Sequence, residues 1–96
     1  MADDTTSHTP YDVEFTPAAR RAVTDLLPPA AAFAVYEFIV GPLADNPHRV
    51  GAPLGAPFEG LHRARRGVYR VRYEIDEQRH RVTILAIAHR RDAYRT

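Results

Sequence analysis

Cysteine and lysine are both missing from these 96 residues. The first absence excludes disulfides, thiolate zinc sites and thiol nucleophiles. The second means that all thirteen basic residues are Arg. Each is a planar, permanently charged guanidinium able to grip phosphate as a bidentate fork. Ser7 is the sole serine and stands in a polar N-terminal stretch, so serine-hydrolase motifs have no residue to build on. Long hydrophobic runs are missing too. The longest lies at about residues 30–40, is interrupted by Tyr36 and Glu37, and is too short and polar to span a bilayer. Residues 1–10 lack an apolar core segment and are not a secretory signal. They are expected to be a disordered tail ahead of one domain over residues 11–96 in a cytoplasmic protein.

What is present is unevenly charged. The net charge of +1 divides into −5 over residues 1–48 and +6 over residues 49–96. Halves of opposite sign point to a functional surface on the basic side.

Tyr11-Asp12-Val13-Glu14-Phe15 alternates apolar and polar, as a half-buried strand does. Thr16-Pro17 reads as an N-cap with proline in the first helical turn, and Ala19, Ala22, Val23, Leu26 and Leu27 supply a helical stripe. Pro28-Pro29 ends that helix. A second helix carries Phe33, Val35, Tyr36, Phe38, Ile39 and Val40, and Gly41-Pro42 is expected to break or kink it. Residues 46–60, punctuated by proline and glycine, are expected to be a surface loop. Three strands follow: Leu61–Arg65, Val68–Ile75 and Arg81–Ala88. In the second, Tyr69, Val71, Tyr73 and Ile75 share one face while Arg70, Arg72 and Glu74 share the other. The third is apolar on both faces and should be central. The expected fold is α+β, ordered β-α-α-β-β-β, with a helical hairpin on one face of a small, mostly antiparallel sheet.

Arg63 and Arg65 share a strand face, Arg70 and Arg72 share the next, and His89, Arg90, Arg91 and Tyr94 follow the last strand. If helices cover the apolar face, the other is lined with guanidinium groups suited to nucleic-acid phosphates. Tyr69, Tyr73 and Tyr94 are candidate rings for stacking on an RNA base, and of these Tyr69 and Tyr73 read more readily as core residues. No metal-ligand spacing, paired acidic motif or phosphate loop is present, so no metal or cofactor is expected. What remains is phosphodiester chemistry on RNA, whose 2′-hydroxyl is its own nucleophile. Arginines suit charge stabilisation but, with pKa above about 12, not the base role. His89 and Tyr94 are the candidate bases, and His62 is a weaker one.

Four stretches, taken in order, resemble the RelE/ParE toxin superfamily. They are residues 11–21, residues 41–51 (Gly41-Pro42-Leu43-Ala44-Asp45-Asn46-Pro47 with Arg49-Val50-Gly51), Arg65-Arg66-Gly67-Val68-Tyr69-Arg70-Val71-Arg72-Tyr73-Glu74-Ile75-Asp76, and Ala88-His89-Arg90-Arg91-Asp92-Ala93-Tyr94-Arg95. The resemblance implies a type II toxin whose RelE branch cleaves mRNA in the ribosomal A site. It also implies neutralisation by a cognate antitoxin, with operator DNA bound only through the antitoxin complex. By position, Arg70 resembles the family's catalytic arginine, Arg90 and Tyr94 its C-terminal active-site pair, and Arg63 and Arg65 its basic strand residues. Together with Arg72 and Arg91, those two form the expected RNA-binding set. Some relatives carry lysine on that strand, so a lysine-based proton transfer is out of reach here. Two other functions stay open: inhibition of DNA gyrase, as in the ParE branch, and a non-catalytic role in antitoxin binding and operon control.

Overall fold

The computed structural model describes residues 9–91. Its strands are β1 (Asp12–Phe15), β2 (Gly51–Pro53), β3 (Leu61–Arg66), β4 (Tyr69–Asp76) and β5 (Arg81–His89). They form one five-stranded sheet in the order β1-β5-β4-β3-β2. β5 pairs antiparallel with β4 and parallel with β1, and the remaining neighbours are antiparallel. The doubly apolar strand is therefore internal, as expected. The sheet holds one strand more than expected, because Gly51–Pro53 pairs with β3.

Local chemistry sets the helices. Thr16 caps α1 (Pro17–Arg21) by accepting from the Ala19 amide at 3.2 Å. Its hydroxyl donates to the Leu85 carbonyl at 3.0 Å, which ties the helix start to the central strand. α1 runs on through a wider π-helical turn, Ala22–Leu26, before Leu27 turns extended ahead of the two prolines. That wider turn shifts the helical phase. Ala19 and Ala22 are buried, while Leu26, expected on the apolar stripe, is 67% exposed. α2 (Pro29–Phe38) buries Val35 and continues through a second π-helical turn, Ile39–Leu43, that buries Ile39 and Leu43. Pro42 sits inside this turn, so the expected break is a local widening instead. α3 (Pro47–Val50) is a single turn within the expected loop.

The hairpin of α1 and α2 packs on the inner face of the sheet against Ala64, Val71, Tyr73, Val82, Ile84 and Ile87. Burying a side chain such as Ile39 or Leu43 contributes about 2 kcal/mol relative to exposure. Cross-strand pairing of Arg72 with Ala86 but of Tyr73 with Ile84 leaves Leu85 as an extra residue in β5. This bulge keeps Val82, Ile84 and Ile87 all facing the helices, although two-residue alternation would send Ile87 outward.

Candidate functional site

The outer face of the sheet collects the arginines. Arg63 lies directly opposite Arg72, and Arg65 directly opposite Arg70. On the far side of β4, Ala86 pairs with Arg72 and Ala88 with Arg70. Four guanidinium groups therefore stand beside a floor of two methyl groups. The alternation in β3 and β4 gave the arginine positions. The alanine floor was missed, because its place depends on the bulge at Leu85.

Two concavities meet at Arg65 and Arg70. One, of about 320 Å³, reaches over Val50, Gly51 and Ala52 to Arg63. The other, of about 350 Å³, is lined by Arg65, Gly67, Arg70, Arg90 and Arg91. Gly67 makes the β3–β4 turn with φ +65°. The Arg90 amide donates to the Val68 carbonyl in that turn at 2.7 Å, which seats Arg90 beside Arg65 and Arg70. Arg63, Arg65, Arg70, Arg72, Arg90 and Arg91 are thus brought to one basic surface.

His89 is placed elsewhere. It pairs with Tyr69 on the inner-face side, its ring edge-on to the tyrosine at 5.4 Å. Its Nδ1 accepts from the Arg91 amide at 3.1 Å. In neutral His89 that lone pair is engaged and the proton sits on Nε2, which suits a support for Arg91 better than a proton acceptor. Tyr94 lies outside the described residues. Among the described residues, no three His, Asp or Glu side chains come together as a metal-ligand set.

The family described as ParE toxin of type II toxin–antitoxin system, parDE, matches residues 13–94. The chain belongs to this toxin family. Over 95 residues the toxin is 52% identical to Toxin RelE of Mycobacterium tuberculosis, covering 99% of this chain and 93% of that one. It is 48% identical over 86 residues to Toxin RelG of the same organism, covering 90% and 98%. The structure superposes on the RelBE2 toxin–antitoxin complex of M. tuberculosis with a TM-score of 0.78 and 46% identity, over 84% of this chain and 92% of that one. The first of these relatives carries the RelE name, as the resemblance in the sequence implied.

Two further features of the toxin lie away from the arginines. Exposed Phe33 and Tyr36 join Phe15 and Val23 around an apolar groove of about 440 Å³ between α1 and α2. At the opposite end of the sheet from Gly67, polar rings gather around the β4–β5 turn. His48 Nε2 and the Tyr11 hydroxyl both bond the Glu77 carboxylate. Tyr11 stacks on His80 at 3.8 Å, and His80 Nε2 donates to the Thr9 carbonyl at 2.6 Å. His48, and behind it Tyr11, hold the Glu77 carboxyl below the usual glutamate range. His62, the weaker base candidate, belongs to this group, stacked on Tyr73 at 5.6 Å and away from the arginine face.

Proposed function

We propose that the toxin is an endoribonuclease that cuts messenger RNA at the ribosomal A site. One observation carries this reading. Arg65 and Arg70 stand opposite each other where two concavities meet, with Arg90 fastened beside them. An RNA phosphodiester laid on the alanine floor would meet guanidinium groups from two strands and from the segment after β5. In the reaction the 2′-oxygen bonds to phosphorus and the bond to the 5′-oxygen breaks. One proton leaves the 2′-hydroxyl and another reaches the departing oxygen. Negative charge grows on the phosphoryl oxygens in between, and Arg70 with Arg90 is arranged to stabilise it.

Arginine cannot accept the proton. With His89 turned inward and its Nδ1 engaged, the proposal assigns that step to Tyr94, three residues beyond Arg91. Arg63, Arg65, Arg72 and Arg91 bind flanking phosphates. A cognate antitoxin would silence the toxin by covering this surface. The structural match to a toxin from a toxin–antitoxin complex supports such a partner.

Primer extension on a defined mRNA in a translating extract tests the reading. Wild type should cut within codons at the stalled A site. Arg70→Ala should reduce the cuts on the order of a hundredfold or more without unfolding the protein. Cuts in the absence of ribosomes would keep the nuclease and remove the ribosome from its mechanism. The ParE description of the matching family favours gyrase inhibition as the second reading. Growth arrest with no cuts would select it, and a supercoiling assay would decide.

A further inference from the structure

The outer face of the sheet changes sign along its length. Down β4 its outward residues are Arg70, Arg72, Glu74 and Asp76. Beside Glu74 and Asp76 stand Thr83 and Arg81 of β5, and beyond those Glu14 and Asp12 of β1. Two ion pairs offset part of this negative charge, Arg81 with Glu14 and Arg79 with Asp76, each at 3.5 Å. Glu74 is exposed and lies nearest the arginines, paired with Leu61 of β3. The break in sign coincides with a break in geometry, since the Leu85 bulge falls between the Arg72 and Tyr73 pairings. A bulge adds twist to the sheet, so the two halves are angled as well as oppositely charged. The acidic concavity around Glu14, Glu74 and Asp76 shares no lining residue with the two arginine concavities.

We propose that the acidic half is a fence: it binds nothing itself, and it ends the RNA path just beyond Arg72. The proposal rests on the ribonuclease reading and adds where contact stops. Strand geometry sets the reach. Glu74 is about 7 Å along β4 from Arg72 and about 13 Å from Arg70. Screening acts over about 8 Å at physiological ionic strength. Glu74 therefore repels a phosphate that passes Arg72, and hardly affects one held between Arg65 and Arg70. The result is a short footprint on one side of the reacting phosphate, delivered by electrostatics without a wall of side chains.

The test uses the full-length toxin and two fluorescent 2′-O-methyl oligoribonucleotides, which have no free nucleophile and are not cut. One is long enough to cover the arginine half alone, and the other crosses the whole outer face. Wild type should bind both with equal affinity by fluorescence anisotropy. Glu74→Gln should tighten the long oligonucleotide about threefold and leave the short one unchanged. Glu74→Lys should enlarge the difference, and high salt should erase it. Glu74 is exposed and outside the ion pairs above, so both variants should keep the wild-type urea midpoint, which is measured alongside. Equal tightening of both lengths would reduce the effect to net charge and overturn the fence. So would tighter binding of the long oligonucleotide by wild type. No binding of either length by wild type would overturn the fence as a property of the free toxin, while the ribonuclease reading stands or falls separately on the primer-extension assay.

Discussion

Arg63 and Arg72 are cross-strand partners, facing each other on the exposed side of the β3–β4 ladder. Like charges directly opposite weaken a sheet by about 0.2–1 kcal/mol relative to neutral pairs. Arg63→Thr is therefore expected to raise the unfolding free energy by about 0.5 kcal/mol, read from urea denaturation. The same change should weaken RNA binding and lower the slope of log affinity against log salt by about 0.7, the loss of one single-strand phosphate contact. A variant that is less stable, or that binds RNA undiminished, would show that this pair is not held for phosphate.

Gly51 is a second point of control. A methyl group there would run into the Tyr73 hydroxyl and the Arg63 carbonyl. Both are fixed, one in the core and one in the ladder. Gly51→Ala should cost about 1–3 kcal/mol and displace the backbone that carries Arg63. Thermal unfolding and RNA affinity should both fall. An unchanged melting temperature would mean that β2 can slide off the sheet without penalty.

Tyr73 is fully buried, and its hydroxyl donates to the Pro47 carbonyl at 2.6 Å. Tyr73→Phe strands that carbonyl, and about 1–2 kcal/mol of stability should go with it. Burial pushes the Tyr73 pKa up to about 12 from 10.0. Between those values the unfolded chain loses this proton while the folded chain keeps it, so stability falls as pH rises. The loss approaches about 2 kcal/mol over that window. Urea midpoints measured across it should decline in wild type, and the Phe variant should lack this share of the slope.

The acid limb should answer to Glu77. Its carboxyl is held low by His48 and then Tyr11. A carboxylate with a lowered folded pKa contributes stability above its unfolded pKa and loses it as pH falls through the folded value. Glu77→Gln should flatten the decline of melting temperature below the ordinary glutamate range. The wild-type curve in the Gln variant would show that the ring cluster around the β4–β5 turn is ornamental to stability.

Much of this architecture is legible in the chain. Thr16-Pro17 announced the start of α1, and the Tyr69-to-Ile75 alternation put Arg70 and Arg72 on the outer face. An apolar run on both faces marked β5 as internal. Residues 47–53 were hidden, because Pro47, Gly51 and Pro53 read as loop punctuation. Yet proline is at home in a first helical turn and on an edge strand, and here it occupies both. The Leu85 bulge was hidden for a different reason. Inside a segment apolar on both sides, one inserted residue breaks no pattern. Regular alternation would have set His89 opposite Val68, on the face of Arg70. The inserted residue sets it opposite Tyr69 instead, on the other face. That single residue turns His89 away from the arginine face.

The parallel pairing of β1 with β5 joins positions far apart in the chain; the Thr16–Leu85 hydrogen bond alone spans 69 residues. The first strand made must therefore wait for the last. During synthesis, β1 has no partner until β5 clears the exit tunnel, and Arg90 and Arg91 join the β3–β4 arginines only after it. A polypeptide interrupted before β5 would hold neither a closed core nor an assembled cationic surface. The order of manufacture thus leaves the sheet open and the cationic surface without Arg90 until β5 emerges.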